Sequence, residues 1–472
     1  MTLVLQIILP IFWGAVVLSF LVAIHEAGHF IAARLFGMRV TEFFIGMPCK
    51  YKWSYKLKRW GTEIGITPLL LGGYTRICGM AHVDDELLEQ CLTFVYTQGR
   101  TTAGACAEAL GCSTVYAHEL LAVLADWASI QKVTSDSGDS EQDIIYTTVA
   151  RDDQMLTLFD TGHHFLPEKV KPAGSAYMLS DPHQFFLDEK ARTYTGKSFI
   201  KRFIALAAGP CVNIVFAFVV LVATLSLAGV TTTVDSNVLG SVEANSLAQN
   251  AGLSTGDKIV ALDGEFVHSW SDIVRVLSDK MKDRATFEMK YVHDEQQFSS
   301  TVDFSHLEPH ELFGIHAQTK VVYPSIGQSL QFATSYTVQV TQFVCRLIMP
   351  QYAVQTVQQS SSVVGISTMA ARAAEEGAQQ FFMLAAMISM SLGCMNLLPI
   401  PPLDGGKALF EIIGVVIRKP VPLKIQTFVT YIGIALFLLL FVFALRNDIA
   451  ALIQGNKTIW LLFKTISHLR GA

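Results

Sequence analysis

Long apolar segments constrain the fold of this chain more than any other feature of its sequence. Four segments are each long enough to cross a bilayer as a helix, since about 20 apolar residues suffice; they are predicted at 1–36, 203–230, 381–406 and 424–446. Hydrophobic residues make up 51% of the chain and charged residues only 16%, against about 25% in a typical soluble domain. The first segment has no cationic start and no small-residue cleavage site, so we expect a retained span. The sequence therefore predicts a polytopic α-helical membrane protein.

Basic residues predict how these spans are oriented. They cluster after the first span, before the second, and between the third and fourth, for example at Arg34, Lys201 and Arg418. Loops rich in lysine and arginine stay on the cytoplasmic side of a membrane. Both termini and residues 231–380 are then extracytoplasmic, and the ends of the first and third spans face the cytoplasm together.

A His-Glu-x-x-His pattern lies near the end of the first span, at His25, Glu26 and His29. Two histidines four residues apart share one face of a helix, where their neutral rings can bind one Zn²⁺. Glu26 beside them can take a proton from water that the metal activates. The same pattern on a soluble helix is often only a solvated face, but ionisable groups in an apolar span are costly unless they serve a function. We therefore predict His25 and His29 as metal ligands and Glu26 as the catalytic base.

A third ligand is predicted at the end of the third span, in Asn-Leu-Leu-Pro-Ile-Pro-Pro-Leu-Asp-Gly-Gly at 396–406. Asp404 is the acid of this apolar stretch, and its prolines break the helix so that a carboxylate can meet the two histidines. The alternative is that Asp404 caps the helix that follows. Asn396 could donate a hydrogen bond to a substrate carbonyl or its oxyanion, or simply join two helices.

Two smaller units are predicted on the cytoplasmic side. Residues 61–80 are glycine-rich and too broken for a spanning helix, so we expect a re-entrant hairpin beside the histidine motif. Residues 81–195 contain three helical patterns and a strand pair, which together resemble a winged helix. The third helical pattern, 113–128, has no lysine or arginine, so we expect a regulatory protein rather than nucleic acid as the partner of this insert. A net charge of −5 likewise gives no indication of nucleic-acid binding.

The extracytoplasmic region is predicted to contain a ligand-binding module. Residues 231–312 include Ala-Gly-Leu-Ser-Thr-Gly-Asp-Lys-Ile-Val-Ala-Leu-Asp-Gly at 251–264, which resembles the core of a PDZ domain. Residues 313–380 are expected to be a helical connector. The C-terminal residues 447–472 are apolar and basic, a composition typical of a helix that lies on the membrane surface. The eight cysteines are scattered and indicate neither a zinc knuckle nor a disulfide framework.

Taken together, these motifs resemble the site-2 proteases, a family of intramembrane zinc metalloproteases, and most closely the bacterial regulator-of-sigma-factor type. The resemblance rests on five stretches in the family's order: His-Glu-Ala-Gly-His at 25–29, Gly-Gly-Tyr at 72–74, Gly-Pro-Cys-Val-Asn at 209–213, the PDZ-like 251–259, and 396–406. It implies that His25, His29 and Asp404 hold one zinc ion per chain and that Glu26 is the base. It also implies that the 61–80 hairpin, with Gly72, Gly73 and Tyr74, pairs with an unwound substrate. Gly209, Pro210 and Asn213 are expected to serve helix packing.

The family resemblance also implies a substrate class. It implies cleavage within the membrane segment of single-pass proteins, such as a trimmed anti-sigma factor or a remnant signal peptide. The PDZ-like unit would act as a size filter or capture a new C-terminus. Two features depart from the family: the 81–195 insert, and a single PDZ-like unit where relatives often carry two. The alternative is a membrane receptor or scaffold with a vestigial zinc site; a transporter is disfavoured because no second matching half is visible.

Overall fold

The computed structural model describes residues 3–70, 72–81, 85–134, 144–160, 169–305, 313–349, 351–352, 355–356 and 361–453. These residues form two compact units. Of the described residues, the first unit contains those up to 221 and from 334 to 448, and the second contains those from 222 to 333 and from 449 to 453. The chain enters the first unit through helix α1 (Leu3–Leu35), whose residues Ile8–Leu35 are long and apolar enough to cross a membrane. The helix ends where Gly37 adopts a positive φ of 69°, a conformation that glycine adopts without steric cost.

A four-stranded sheet follows α1. Its strands are β1 (Val40–Ile45), β2 (Trp53–Lys56), β3 (Glu63–Ile66) and β4 (Gly73–Ile77), in the order β2-β3-β1-β4. The hairpin predicted over residues 61–80 is therefore wrong, because β1 lies between β3 and β4, parallel to β3 and antiparallel to β4. The hairpin was predicted from residues 61–80 alone, whereas the strand that pairs with both β3 and β4 is β1, which lies just after α1 in the sequence. Strand β4 consequently forms one edge of the sheet.

The insert after the sheet is built from helices α2 to α5 and strands β5 to β7. These four helices pack with an antiparallel sheet of order β5-β7-β6 around a buried core that includes Leu92, Leu121 and Trp127. Each helix after α2 begins at a capping side chain, from Thr102, Ser113 and Asp181. In chain order the elements are α2 (Leu87–Gln98), β5 (Arg100–Thr102), α3 (Ala103–Leu110), α4 (Thr114–Asp126), β6 (Ile130–Thr134), β7 (Ile144–Thr148) and α5 (Pro182–Ala191).

Buried charges join this insert to the end of α1. The guanidinium of Arg39 is fully buried and donates to Glu189 Oε2 at 2.7 Å and to Asp160 Oδ1 at 2.7 Å. Arg151, also fully buried, donates to the same Glu189 carboxylate at 2.7 Å. Burial alone would raise the pKa of Glu189, but the charges of Arg151 and Arg39 and their hydrogen bonds hold that pKa well below its ordinary value. The insert is thus fixed to the segment that directly follows the histidine motif.

Replacing Glu189 by glutamine is expected to destabilise the chain by about 3–5 kcal/mol, because two buried guanidinium groups lose their shared carboxylate. Since the folded-state pKa is lowered, this stabilisation is present at neutral pH and is lost as the pH falls below the ordinary glutamate pKa. Thermal unfolding of the solubilised full chain measures the loss. Glu265→Gln is the control, because its ion pair with Arg275 is about half exposed, with side chains 51% and 55% accessible. Solvent screens such a pair, so its loss is expected to leave the melting temperature nearly unchanged. Equal losses in the two variants would contradict this account.

The second unit follows helix α6 (Phe199–Ala228). It contains a four-stranded antiparallel sheet of order β11-β10-β12-β13 and two strand pairs, β8 with β15 and β9 with β14. Helix α8 begins with a capping box between Ser269 and Asp272. The elements are β8 (Val230–Thr233), β9 (Leu239–Val242), α7 (Leu247–Asn250), β10 (Lys258–Leu262), β11 (Glu265–Phe266), α8 (Trp270–Lys282), β12 (Thr286–His293), β13 (Gln296–Asp303), β14 (Ile315–Ala317) and β15 (Thr319–Val322).

Five longer helices follow in the described residues: α9 (Ile326–Arg346), α10 (Val363–Glu376), α11 (Ala378–Asn396), α12 (Asp404–Ile417) and α13 (Leu423–Ile453). Among the described residues, four helices, α1, α6, α11 and α13, are long and apolar enough to span a membrane. Many apolar side chains of α13 are exposed, for example Phe428 at 65% and Leu438 at 60%, as lipid would require. Most of the predicted surface tail at 447–472 lies outside the described residues.

The segment predicted as the third span, 381–406, contains the helix break that its prolines predicted. Helix α11 ends at Asn396, and a new helix, α12, begins at Asp404. Proline at 399, 401 and 402 explains the break, since proline lacks an N–H and clashes with the preceding helical turn. The break leaves Asp404 at the first position of α12. The position of this break therefore sets the position of the Asp404 carboxylate.

Candidate metal centre

The two motif histidines lie one turn apart near the end of α1. Their side chains face each other, with the Nε2 atoms 3.2 Å apart, and each residue is only 7% exposed. Nδ1 of His29 lies 2.8 Å from the carbonyl oxygen of Ala205 in α6. A ring that donates its Nδ1–H to this carbonyl presents Nε2 as a lone-pair donor for a metal.

Asp404 meets both rings. Its Oδ2 lies 3.0 Å from His25 Nε2 and 3.1 Å from His29 Nε2. Asp404 does not cap α12: the N-cap residue is Leu403, and no side chain caps that helix end. The alternative of a capping role is therefore wrong, because the carboxylate points to the histidines. Lys407 approaches the other carboxylate oxygen, Oδ1, at 3.5 Å.

These three residues fit a zinc ion. Their donor atoms lie within 4.8 Å of one another, and the three closest separations are 3.0, 3.1 and 3.2 Å. Four ligands about 2.0–2.1 Å from a tetrahedral zinc are about 3.3 Å apart, close to these values. Two imidazole nitrogens and a carboxylate oxygen leave the fourth position open, as a catalytic zinc requires. Among the described residues, this is the cluster of histidine, cysteine and acidic side chains that could hold a metal.

Asn213 lies behind His25. The residue is fully buried in α6, its Nδ2 is 3.4 Å from His25 Nδ1, and its Oδ1 has no hydrogen-bond partner. If the amide is turned by 180°, Oδ1 accepts the Nδ1–H of His25, which gives these two atoms a partner and leaves His25 Nε2 for the metal. The hydroxyl of Ser389 in α11 donates to the main-chain carbonyl oxygen of Asn213 at 2.9 Å and so joins a third span to this site. The sequence had predicted Asn213 only as a packing residue.

Glycines bring α1 and α6 close enough for these contacts. A Cβ at Gly28 would lie 2.6 Å from the carbonyl oxygen of Ala208, and one at Gly209 would lie 2.4 Å from His29 Nε2. Both distances are far shorter than van der Waals contact, so any larger residue would move a helix or the ligand. Pro210 lies inside α6 directly after Gly209.

The edge strand β4 runs beside Glu26. The hydroxyl of Thr75 donates to the main-chain carbonyl oxygen of Glu26 at 3.1 Å. A Cβ on Gly73 would lie 3.2 Å from Cγ of the Glu26 side chain. Glu26 is half-buried and lies outside the three-residue metal cluster. Glu26 thus directly follows a cluster residue, His25, in α1 without supplying a donor to the cluster.

Other predicted site residues are distributed around this centre. Tyr74 stacks on Phe44 of β1 with ring centroids 5.3 Å apart, and Gly72 accepts from the Gly46 N–H at 2.7 Å. Asn396 is the half-buried last residue of α11. Sequence reasoning missed the carbonyl of Ala205 and the hydroxyl of Thr75. A backbone carbonyl carries no signal in the sequence, and neither contact follows from a motif.

Comparison with known proteins assigns the whole membrane core to one group. Residues 13–440 match the sequence profile of peptidase family M50. The regulator of sigma-W protease RasP of Bacillus subtilis is 27% identical over 447 residues, 93% of this chain and 97% of that protein. The zinc metalloprotease RasP of Geobacillus kaustophilus is 28% identical over 441 residues, covering 92% and 96%. The probable protease eep of Enterococcus faecalis is 25% identical over 439 residues, covering 92% and 97%.

Proposed function

The chain belongs to peptidase family M50, the site-2 proteases, and we propose that His25, His29 and Asp404 hold the zinc of this multi-pass membrane metalloendopeptidase. The observation that carries this assignment is the convergence of the three side chains, from α1 and α12, on one point between apolar helices. Glu26 is proposed as the catalytic base, since its side chain lies beside the donors without joining them. Asn213 and the Ala205 carbonyl are proposed to orient the two imidazoles.

In the proposed mechanism, zinc, when bound, supplies Lewis-acid activation of water and of the scissile carbonyl. Glu26 accepts the proton that the attacking water loses as its oxygen bonds to the carbonyl carbon. The protonated Glu26 then gives that proton to the leaving amide nitrogen as the C–N bond breaks. The products are a carboxylic acid and an amine, the acid passes its remaining proton to the amine to give a carboxylate and an ammonium group, and Glu26 returns to its starting state. The apolar helices around the site limit its exposure to bulk water.

The proposed substrates are membrane segments of single-pass proteins. One relative is named as a regulator of sigma-W protease, and by analogy we propose that this chain acts on membrane-anchored anti-sigma factors after trimming, or on remnant signal peptides. Such a segment is helical, and its carbonyls are hidden in hydrogen bonds. The protease must therefore unwind the segment before the scissile carbonyl can reach the metal centre.

Strand β4 is proposed as the template for this unwound segment. It lies at the edge of its sheet and beside Glu26. The carbonyl of Gly72 accepts the N–H of Gly46, which directly follows β1, so the backbone of Gly72 faces β1. In an antiparallel pair, successive residues face the partner strand and the opposite side in turn. The N–H and carbonyl of Gly73 therefore point to the open edge of the sheet. An extended substrate that pairs with this edge recovers the hydrogen bonds its helix lost.

Two neighbouring glycines offer a matched test of this template. A Cβ at Gly73 would lie 2.7 Å from Val22 Cγ1 and 2.9 Å from the Phe44 carbonyl, whereas a Cβ at Gly72 would lie 3.4 Å from Met47, its nearest neighbour. We expect Gly73→Ala to lower kcat/KM about 100-fold by displacing β4 from Glu26. Gly72→Ala is expected to stay within about threefold of the wild type. Steady-state cleavage of a tagged single-pass substrate measures both, and equal effects would overturn the template.

The PDZ-like unit at 231–312 is proposed as the filter for substrates. Support comes from its four-stranded sheet and the capped helix α8, which carry the stretch that resembles a PDZ core. The proposed orientation places this unit outside the cell and the metal centre toward the cytoplasmic face, from the distribution of basic residues. Size exclusion and capture of a new C-terminus both remain compatible with this placement.

A pair of substrates tests the filter. One is a single-pass protein with its folded extracytoplasmic domain, and the other is the same protein cut back to a short stub. We expect the full chain in reconstituted membranes to cleave the stub at least tenfold faster, because a folded domain would be excluded. Adding an amide to the new C-terminus of the stub separates the two filter modes, since only carboxylate capture depends on that charge. Equal cleavage of both lengths would contradict the filter.

The 81–195 insert is proposed to dock a cytoplasmic regulatory protein. Helix α4 has no lysine or arginine in its sequence Thr-Val-Tyr-Ala-His-Glu-Leu-Leu-Ala-Val-Leu-Ala-Asp, which disfavours a role in reading DNA. Contacts of the insert with the segments that directly follow α1 and β4 give a partner a path to the site. Arg39 binds Glu189 and Asp160, and the N–H of Gly79 donates to Asp126 at 3.0 Å.

A further inference from the structure

A cavity of about 670 Å³ lies where the beginnings of two spans, α6 and α13, meet helix α12. Arg202 in the first turns of α6 and Leu423 at the start of α13 both line it. The cavity is therefore at a membrane surface, at the depth where lipid headgroups lie. It is separate from the metal cluster, although Lys407 lines the cavity and also approaches Asp404.

The charge of this cavity is strongly positive. Its described lining contains four basic side chains, Arg202, Lys407, Arg418 and Lys419, and one acidic side chain, Glu411. Glu411 is already engaged: Arg202 binds its Oε2 at 2.9 Å, and the Tyr194 hydroxyl donates to its Oε1 at 3.0 Å. Arg418 and Lys419, both exposed, remain to bind an anion.

The remaining wall is apolar and open toward the lipid-facing surface. Leu206, Phe410 and Val421 line the interior, and the exposed Val415, Leu423 and Tyr431 lead onto α12 and α13. A soluble anion would use the basic residues and leave this apolar surface in water. A molecule with an anionic head and apolar chains would satisfy both parts of the wall.

We propose that this cavity binds an anionic glycerophospholipid, with its phosphodiester between Arg418 and Lys419 and its acyl chains along α12 and α13. Basic pockets between membrane helices on the cytoplasmic side are suited to such headgroups, and each lysine or arginine near the surface contributes roughly fivefold in affinity. This site goes beyond the proposed protease function, and its test does not depend on cleavage. The bound lipid would contact helix α12, the helix that begins with Asp404.

Titration of short-chain phosphatidylglycerol into the detergent-solubilised full chain tests the proposal, with bound lipid counted by native mass spectrometry. Phosphatidylcholine and inorganic phosphate are titrated in parallel. We compare Lys419→Gln with Lys424→Gln, since Lys424 carries the same charge in the first turn of α13 and does not line the cavity. Lys419→Gln is expected to weaken phosphatidylglycerol binding about fivefold, and Arg418→Gln with Lys419→Gln about 30-fold. Lys424→Gln is expected to weaken it less than twofold.

Three results would overturn the lipid site. Equal losses in Lys419→Gln and Lys424→Gln would show general surface attraction instead of a defined cavity. Equal affinity for phosphatidylcholine would remove the anionic headgroup from the assignment. Displacement of phosphatidylglycerol by inorganic phosphate at equal concentration would assign the basic residues to a soluble anion.

Discussion

Glu26→Gln is expected to reduce cleavage by about 10²–10⁴-fold, the usual contribution of a general base, while the chain keeps its zinc. Glutamine has nearly the same shape as glutamate but cannot accept the proton that the attacking water loses. The donor atoms of His25, His29 and Asp404 are separate from the Glu26 side chain, so their geometry is unchanged. Cleavage rate and zinc content must therefore be measured on the same preparation.

The control for this variant is the same substitution, glutamate to glutamine, at a position outside the candidate metal centre. Glu288 in β12 is exposed and accepts a hydrogen bond from Ser299 on the neighbouring strand. Glu288→Gln is expected to keep both activity and zinc. A Glu26→Gln enzyme that cleaves as fast as Glu288→Gln would remove Glu26 from the mechanism, and one that loses its zinc would make Glu26 a fourth ligand.

Asp404→Asn is expected to remove zinc and activity together. Asp404 Oδ2 lies 3.0 and 3.1 Å from the two imidazole nitrogens, and an uncharged amide is a much weaker ligand for zinc than a carboxylate. Loss of an outer-shell partner costs about 10–100-fold in metal affinity, so loss of a direct ligand is expected to cost more. Zinc binding measured against a competing chelator gives the affinity, and the cleavage assay gives the activity.

Asp448 provides the matched control for Asp404. It is buried in α13 and accepts the N–H groups of Ser362 at 2.6 Å and Gly365 at 3.0 Å, which begin helix α10. Asp448→Asn is expected to lower the melting temperature while each folded chain keeps its zinc. If Asp404→Asn retained zinc as well as Asp448→Asn does, Asp404 would not be a ligand.

The sequence predicted the two ends of the site for sound physical reasons. The four-residue spacing of His25 and His29 places both rings on one helix face. The prolines before Asp404 predicted a helix break that could carry a carboxylate to them, and α11 indeed ends before that residue. Long apolar spans are equally local signals, which explains why the sequence predicts four spans and the described residues contain four helices that could cross a membrane.

Contacts between residues that are far apart in the chain could not be predicted from local sequence patterns. The pairing of β1 with both β3 and β4 depends on residues at 40–45 that carry no turn signal of their own. Arg39 appeared in the sequence only as one of several cations after the first span, yet it is fully buried between two carboxylates of the insert. The contact of Asn213 with His25 requires the close approach of α1 and α6, which the glycines permit but do not specify.

The most direct test of the central claim is the position of the cut in a trimmed, tagged single-pass substrate. Wild type and Glu26→Gln are reconstituted side by side, zinc is quantified in both, and the products are mapped by mass spectrometry. The account predicts one zinc per chain in each protein and a broken peptide bond inside the membrane segment with the wild type alone. An intact substrate beside a zinc-loaded wild type would contradict the protease assignment for this site and favour a receptor or scaffold that retains the metal.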